Sequence, residues 1–226
     1  EGAAKSGATE VIVATDHRDI AATVAGAGFD AMMTRTDHAT GTDRLAEVVR
    51  RRKYPPRTIV VNVQGDEPLI QPRLIRRVAE NLAAHRGAHI ATACCTVRDA
   101  AVLSNPNVVK VVLDRAGYAL YFSRAPIPWS RDAFAGHRQA LPAGENVWLR
   151  HIGIYGYRAG FLQRFAQLPP DLCGGHGAAK VVALGLITAE LEQHFFGRQS
   201  LDALSHHFEA QAMGHSDNRL CDRHAV

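Results

Sequence analysis

The sequence predicts an α/β fold, a doubly wound and mostly parallel sheet with helices on both faces. Short apolar, β-branched runs alternate with helical patterns over residues 10–85. A hydrophobic content of 46% over 226 residues is enough for the core of one domain. The run at residues 58–63 ends in Gln64-Gly65-Asp66-Glu67, and ligands of open α/β sheets collect beyond the carboxyl ends of such strands.

The first half of the chain predicts three strands and three helices in alternation. Residues 11–14, 31–33 and 58–63 predict strands, and residues 18–27, 43–53 and 72–85 predict helices. In the third helix the apolar positions keep helical spacing, at Leu74, Ile75, Val78 and Leu82. This alternation predicts parallel strands joined by right-handed crossovers.

The second half of the chain is richer in strand patterns. Strands are predicted at residues 90–97, 108–113, 118–122 and 151–157, followed by a helix at 159–166. Residues 98–157 therefore predict a β-rich insertion in a domain of residues 1–170. After Pro169-Pro170 the composition changes, and residues 171–226 form a divergent tail that holds six of the twelve histidines. Helices are expected there at 181–196 and 201–213.

Composition and charge narrow the function classes. No stretch approaches the roughly 20 apolar residues that span a bilayer, and the N-terminus lacks the apolar core of a signal peptide, so we expect a cytoplasmic protein without membrane insertion. Residues 1–170 hold 22 Lys and Arg against 15 Asp and Glu, which favours anionic ligands. Apart from residues 50–53 there is no basic run with interleaved aromatics, so we expect no nucleic-acid partner.

Asp66 is the first candidate for a functional residue. An ionised carboxylate at the edge of an apolar layer needs a cation, a donor or water beside it, and a magnesium ion that carries phosphates is one such partner. The alternative is that Asp66 caps the helix expected near Gln71. The tail offers four possible zinc ligands as well, but their spacings differ from those of zinc fingers: Cys173, His176, Cys221 and His224.

Six sequence blocks, read together, carry a resemblance. They are VATDH at 13–17, RTDHATGTDR at 35–44, VNVQGDEP at 61–68, NPNVVKVV at 105–112, ALYFSRAPIPW at 119–129 and LRHIGIYGYR at 149–158. In this order and spacing the chain resembles the 3-deoxy-manno-octulosonate cytidylyltransferases, the CMP-Kdo synthetases of lipopolysaccharide biosynthesis. The resemblance covers nearly all of residues 1–170.

The resemblance implies a fold of the nucleotide-diphospho-sugar transferase type with a β-rich dimerisation insertion. It implies a homodimer whose small-molecule substrates are CTP and the sugar acid Kdo, whose products are CMP-Kdo and pyrophosphate, and whose cofactor is Mg²⁺. A related CMP-sugar synthetase, such as CMP-sialate synthetase, is one alternative. A non-catalytic remnant that acts only through dimerisation is another.

The resemblance also implies roles for individual residues. Asp66 would bind the metal and Gln64 would lie beside the nucleotide, while the cytidine would be bordered by Thr15, Asp16, His17, Thr40, Gly41 and Thr42. Arg124 would be catalytic and, with His151 and Tyr155, would face the sugar acid. Local alternatives remain open: Asp16 as the cap of the helix from residue 18, Thr42 or Asp43 as the cap of the next one, and His151 as a sheet histidine with its hydrogen bonds satisfied.

The chain departs from the family pattern at both ends. Members of the family begin with a strand and a glycine-, arginine- and lysine-bearing phosphate loop, whereas this sequence opens inside the helix expected to follow them. Nothing in residues 171–226 matches the late segment that carries the second metal carboxylate, and the tail has the texture of a frameshifted reading. We therefore expect this chain to have little or no activity.

Overall fold

The computed structural model describes residues 1–65, 69–131, 134, 141, 148–167 and 181–186, the last segment for its backbone only. The strands are β1 (Ile12–Thr15), β2 (Asp30–Met33), β3 (Ile59–Asn62), β4 (Ile90–Thr96), β5 (Lys110–Leu113), β6 (Ala119–Ser123), β7 (Leu149–Arg158) and β8 (Val181–Leu186). The helices are α1 (Arg18–Gly26), α2 (Gly41–Arg52), α3 (Pro72–Ala84), α4 (Ala100–Ser104) and α5 (Ala159–Phe165), preceded by a 3-10 turn (Ala3–Ser6). The predicted α/β class is confirmed.

The described strands form two sheets. β1 and β2 pair in parallel and are joined by α1, as the alternation of strand and helix patterns predicts. The other six strands form a sheet with the order β6-β5-β7-β4-β8, in which β3 also pairs with β7. Besides β1 with β2, only β4 with β8 is a parallel pair among these strands, because β7 runs antiparallel to its three neighbours and β5 and β6 are antiparallel.

Strand β7 is central to the larger sheet. β4 pairs along one edge of β7, and β3 and β5 share the other edge. Asn62, the last residue of β3, pairs with Tyr155, whereas Lys110, the first residue of β5, pairs with Arg150. β5 therefore begins along this edge where β3 has ended, and residues 151–154 of β7 lie between the two. The last strand of the predicted insertion is thus part of the main sheet.

The helix expected at residues 181–196 is wrong for its first six positions, which form β8. A short apolar run is compatible with either a buried helix or a buried strand, and pairing with β4 decides the outcome here. The helix expected at 201–213, the boundary at Pro169-Pro170 and the four possible zinc ligands lie outside the described residues.

Helices cover both faces of the larger sheet, as the alternation of β3 shows. Ile59 and Val61 pack against a cluster built on α3, whereas Val60, between them, packs against a cluster built on α2 and α5. Successive side chains of a strand point to opposite faces, so the two clusters lie on opposite sides. None of the helices in the described part is long and apolar enough to cross a membrane.

We expect Leu82→Ala to lower the free energy of unfolding by about 2–5 kcal/mol, because it leaves a cavity in the cluster between α3 and the sheet. Leu82 is fully buried. Ile20→Ala on α1, where the side chain is exposed, is the matched control and should change little. Urea unfolding measures both, and equal losses would contradict the assignment of the core to α3.

Candidate functional site

The loop after β1 is fixed by its own side chains. Thr15 is buried, and its Oγ1 accepts a hydrogen bond from the backbone N–H of His17 at 3.1 Å. His17 is the N-cap of α1, with its Nδ1 accepting from the Asp19 N–H at 3.3 Å. The expectation that Asp16 caps this helix is therefore wrong. Because His17 takes the cap, the Asp16 carboxylate is available for a partner elsewhere.

That partner is Arg44, whose side chain is almost completely buried within α2. Its Nη2 donates to Asp16 Oδ2 at 2.7 Å, and its Nη1 donates to Thr34 Oγ1. Thr34 in turn donates its backbone N–H to Thr15 O at 2.8 Å. The hydrogen bond from Arg44 is the largest influence on the pKa of Asp16 and holds it below its ordinary value of 3.8. One buried guanidinium thus ties α2 to the ends of β1 and β2.

The start of α2 carries the second predicted nucleotide loop. Thr40 is the N-cap, and its Oγ1 accepts from the Asp43 N–H at 3.2 Å while Asp43 Oδ2 accepts from the Thr40 N–H at 3.0 Å. The alternative from the sequence, that Thr42 or Asp43 caps this helix, is therefore wrong. Asp43 completes a capping box instead. Gly41 stands at the first helical position, and a side chain there would meet open space.

The buried carboxylate of Glu47 holds the segment between β2 and α2. Glu47 accepts hydrogen bonds from the Arg35 backbone N–H at 3.1 Å, from His38 Nε2 and from Arg51 Nη1 at 3.2 Å. Burial raises the pKa of Glu47, but these hydrogen bonds outweigh burial and the net pKa is lowered. Glu47 therefore stays ionised and fixes the path of the chain that leads to Thr40.

The predicted sugar-acid residues lie along β5, β6 and β7. Arg124 directly follows β6, and its Nη1 donates to Pro106 O at 2.6 Å in the loop before β5. His151 donates its backbone N–H to Val109 O at 2.8 Å in the same loop. The rings of His151 and Tyr155 lie 5.4 Å apart. Arg124 and His151 are thus both bonded to the loop before β5, and Tyr155 lies beside His151 on β7.

His151 is held as a neutral side chain. Its Nε2 lies 2.8 Å from the Oγ1 of the fully buried Thr92, whose hydroxyl donates to Ile154 O at 2.8 Å. Because the hydroxyl proton of Thr92 goes to Ile154 O, we assign the His151 proton to Nε2, which satisfies both groups and leaves Nδ1 as an acceptor. Burial lowers the pKa of His151 from 6.5 to about 4. The local alternative from the sequence, a sheet histidine with a satisfied hydrogen bond, is therefore correct for Nε2.

Gln64 lies two residues beyond the end of β3. Because Asn62 pairs with Tyr155, the loop through Gln64 and Gly65 leaves the sheet beside Tyr155, one of the predicted sugar-acid residues. Asp66, the predicted metal ligand, lies outside the described residues. Within the described part of the chain, no three His, Cys, Asp or Glu side chains form a group that could hold a metal ion.

The two groups of predicted residues are linked through the core. Leu45, next to Arg44 on α2, packs against the same hydrophobic cluster as Tyr155. The sequence identified candidate residues for the nucleotide loops and for the sugar acid. It missed the buried residues that hold them in place: Arg44, Glu47, Thr92 and Lys110. Arg44 and Lys110 lie inside quoted sequence blocks, and a charged residue within an apolar run, such as Lys110 in residues 108–113, was an available signal.

The mixed α/β sheet, with loops gathered beyond its strand ends, defines a fold of the nucleotidyltransferase class. The family model described as Cytidylyltransferase matches residues 1–196, and the chain belongs to that family. Among solved structures, a CMP:2-keto-3-deoxy-manno-octonic acid synthetase complexed with CTP is similar at 32% identity and a TM-score of 0.70, over 87% of this chain and 86% of that one. CTP-dependent nucleotidyl transfer is the activity to which these matches point. The family match also extends beyond residue 170, into the segment expected to be divergent.

The lowered pKa of His151 predicts a pH dependence of stability. The unfolded chain binds a proton as pH falls through 6.5, whereas the folded chain does so only near 4, so stability falls across this window. We expect a loss of up to about 3 kcal/mol from this residue. His151→Asn should flatten that part of the profile in urea unfolding at pH 4 to 7. His17→Asn, at an exposed cap that Asn can also serve, should keep the slope.

Proposed function

We propose that this chain transfers the cytidylyl group of CTP to Kdo, which forms CMP-Kdo and pyrophosphate for lipopolysaccharide biosynthesis in the cytoplasm. Membership of the cytidylyltransferase family and the 32% identity to a synthetase of this kind support the proposal. The observation that carries it is that Arg124 and His151 are bonded to the same loop before β5 and that the ring of His151 lies beside that of Tyr155. A cation, a neutral acceptor and a phenol suit a sugar acid better than a neutral sugar.

On the acceptor side, Arg124 supplies the cation for the carboxylate of Kdo. A guanidinium has five N–H donors, and Arg124 gives one of them to Pro106 O. His151 stays neutral near pH 7, because burial lowers its pKa to about 4. Nδ1 of His151 therefore accepts a hydrogen bond from a sugar hydroxyl and adds no charge, and the Tyr155 ring lies beside the imidazole.

On the nucleotide side, two segments border the cytidine: the loop of Thr15, Asp16 and His17, which Arg44 clamps through Asp16, and the start of α2 at Thr40, Gly41 and Thr42. Gln64 lies two residues beyond the end of β3. The sugar hydroxyl loses its proton to solvent and its oxygen bonds to the α-phosphorus, while the bond from this phosphorus to the oxygen that bridges it to the β-phosphorus breaks and pyrophosphate leaves. Positioning of the two substrates supplies most of the rate enhancement in such a displacement.

Asp66 is the residue that would hold Mg²⁺. A carboxylate in the loop after a strand fits the preference of Mg²⁺ for one or two carboxylates together with phosphate oxygens and water. The donor chemistry of this segment therefore fits the ion, although Asp66 itself lies outside the described residues. When bound, the ion would neutralise charge on the phosphates of CTP.

The experiment measures CTP binding by calorimetry and the formation of CMP-Kdo and pyrophosphate from CTP, Mg²⁺ and Kdo. We expect Arg44→Met to weaken CTP binding by about tenfold or more, because Asp16 and Thr34 lose the donor that fixes their loops. Arg50→Met, at an exposed position of the same helix, is the control and should bind CTP like the unmodified chain.

A panel with N-acetylneuraminate and Kdo as acceptors identifies the sugar acid. Turnover with N-acetylneuraminate alone would reject Kdo and favour a CMP-sialate synthetase. CTP binding without turnover of any acceptor would favour the non-catalytic remnant. If CTP does not bind at all, the proposed function is wrong.

We also propose that the chain forms a homodimer through β6 and the segment that follows it. β6 stands at one end of the strand order, and Leu120, Tyr121 and Phe122 in it are exposed, at 64%, 52% and 38%. Trp129 nearby in sequence is 68% exposed. An apolar edge strand that stays uncovered invites pairing with another chain, and a second copy would cover it.

We expect the double variant Leu120→Asp with Tyr121→Asp to shift the chain from dimer to monomer in sedimentation velocity, because two carboxylates would be buried in the interface. Leu69→Asp is the control, since Leu69 is equally exposed but lies between β3 and α3. A monomeric unmodified chain, or a double variant that stays dimeric, would reject β6 as the interface.

A further inference from the structure

Lys110 is an unusual residue of the sheet, because its side chain has no exposed surface. It is the first residue of β5 and lies opposite Ser123 of β6 and Arg150 of β7. Lysine is among the residues least often buried without a partner, since an ammonium group loses its hydration in the interior. The acceptors around this side chain therefore account for its place in the fold.

The ammonium group of Lys110 has three N–H donors, and each has a backbone carbonyl acceptor. Nζ donates to Val108 O at 2.7 Å, to Asn105 O at 3.1 Å and to Arg124 O. Two of these carbonyls belong to the loop before β5, and the third belongs to the residue that follows β6. One buried side chain therefore joins two loops that are far apart in sequence.

The loops held by Lys110 are the ones that present the acceptor-binding residues. The Arg124 guanidinium donates to Pro106 O, which lies between the two loop carbonyls that Lys110 binds. Val109 O, next to Lys110, accepts the backbone N–H of His151. The carbonyl of Arg124 is thus joined to this loop through Lys110, and its guanidinium is bonded to the loop directly. The same loop is bonded to the backbone of His151.

We infer that Lys110 is a positioning residue for the sugar-acid site: its hydrogen bonds to Asn105 O, Val108 O and Arg124 O hold the Arg124 guanidinium at Pro106 O, on the loop that is bonded to His151. This inference rests on the proposed function. Lys110 acts through Arg124 and not on the substrate, because its three donors are all directed at backbone carbonyls. Burial and the neighbouring charge of Arg124 lower the pKa of Lys110, as expected for an enclosed ammonium group.

The test compares Lys110→Met with Lys5→Met, an exposed lysine in the 3-10 turn. We expect the KM for Kdo to rise about tenfold or more in Lys110→Met, the effect of misplacing one charge-assisted hydrogen bond, with the KM for CTP within about twofold. In an Arg124→Met background, Lys110→Met should add no further change for Kdo, because the two residues act as one unit. A loss that affects both substrates equally, or that adds to the loss from Arg124→Met, would overturn the inference.

Amide hydrogen exchange provides a readout that does not depend on activity. In Lys110→Met we expect faster exchange confined to residues 105–109 and 123–126, and unchanged exchange in α2 and α3. Lys110→Gln, which keeps two donors, should show a smaller effect in the same segments. If both Lys110 variants fail to fold, Lys110 is a structural residue and the positioning role is rejected. If the unmodified chain neither binds nor converts Kdo, the proposed function fails, while the exchange data still decide whether Lys110 joins the two loops.

Discussion

The structure of the candidate site depends on one constraint of strand pairing, the sharing of a single edge of β7 by β3 and β5. β3 ends at Asn62 opposite Tyr155, and β5 begins at Lys110 opposite Arg150. Along this edge β3 ends before β5 begins, so the loop after β3 and the loop before β5 leave the edge on either side of residues 151–154. The loop that leads to Asp66 and the loop that holds Arg124 therefore approach the same part of β7 from opposite directions.

Buried cations organise both halves of this site. Arg44 is 3% exposed and Lys110 is 0% exposed, and each cation is directed at groups from separate loops. A buried cation is costly unless its donors are paired, so these acceptors are held in place more strongly than by ordinary surface contacts. Their physical roles differ, since Arg44 meets the carboxylate of Asp16 whereas Lys110 meets only carbonyls. In both cases the loop is fixed by a buried side chain and not by a surface residue.

Sequence periodicity was sufficient for the α/β class and for most elements, as α3 illustrates, because Leu74, Ile75, Val78 and Leu82 form its buried face. Properties that depend on tertiary pairing could not be predicted from the sequence. The strand β8 was expected as a helix, since an apolar run carries no information on its partner. The cap of α1 is His17 and not Asp16, whose carboxylate is instead bonded to the buried Arg44. The register that places Tyr155 beside Asn62 likewise follows from the assembled sheet.

The proposed dimer surface and the proposed sugar-acid site are physically coupled. Phe122, an exposed residue of β6, packs edge-on against His151 with ring centroids 5.0 Å apart. Burial is the cause of the lowered pKa of His151, and Phe122 is part of that burial. A second copy that covers β6 would remove more water from this side of β7 and hold His151 neutral more firmly. In the proposed site the positive charge for the sugar carboxylate is assigned to Arg124, so the residues that place Arg124 matter as much as those proposed to contact the substrate.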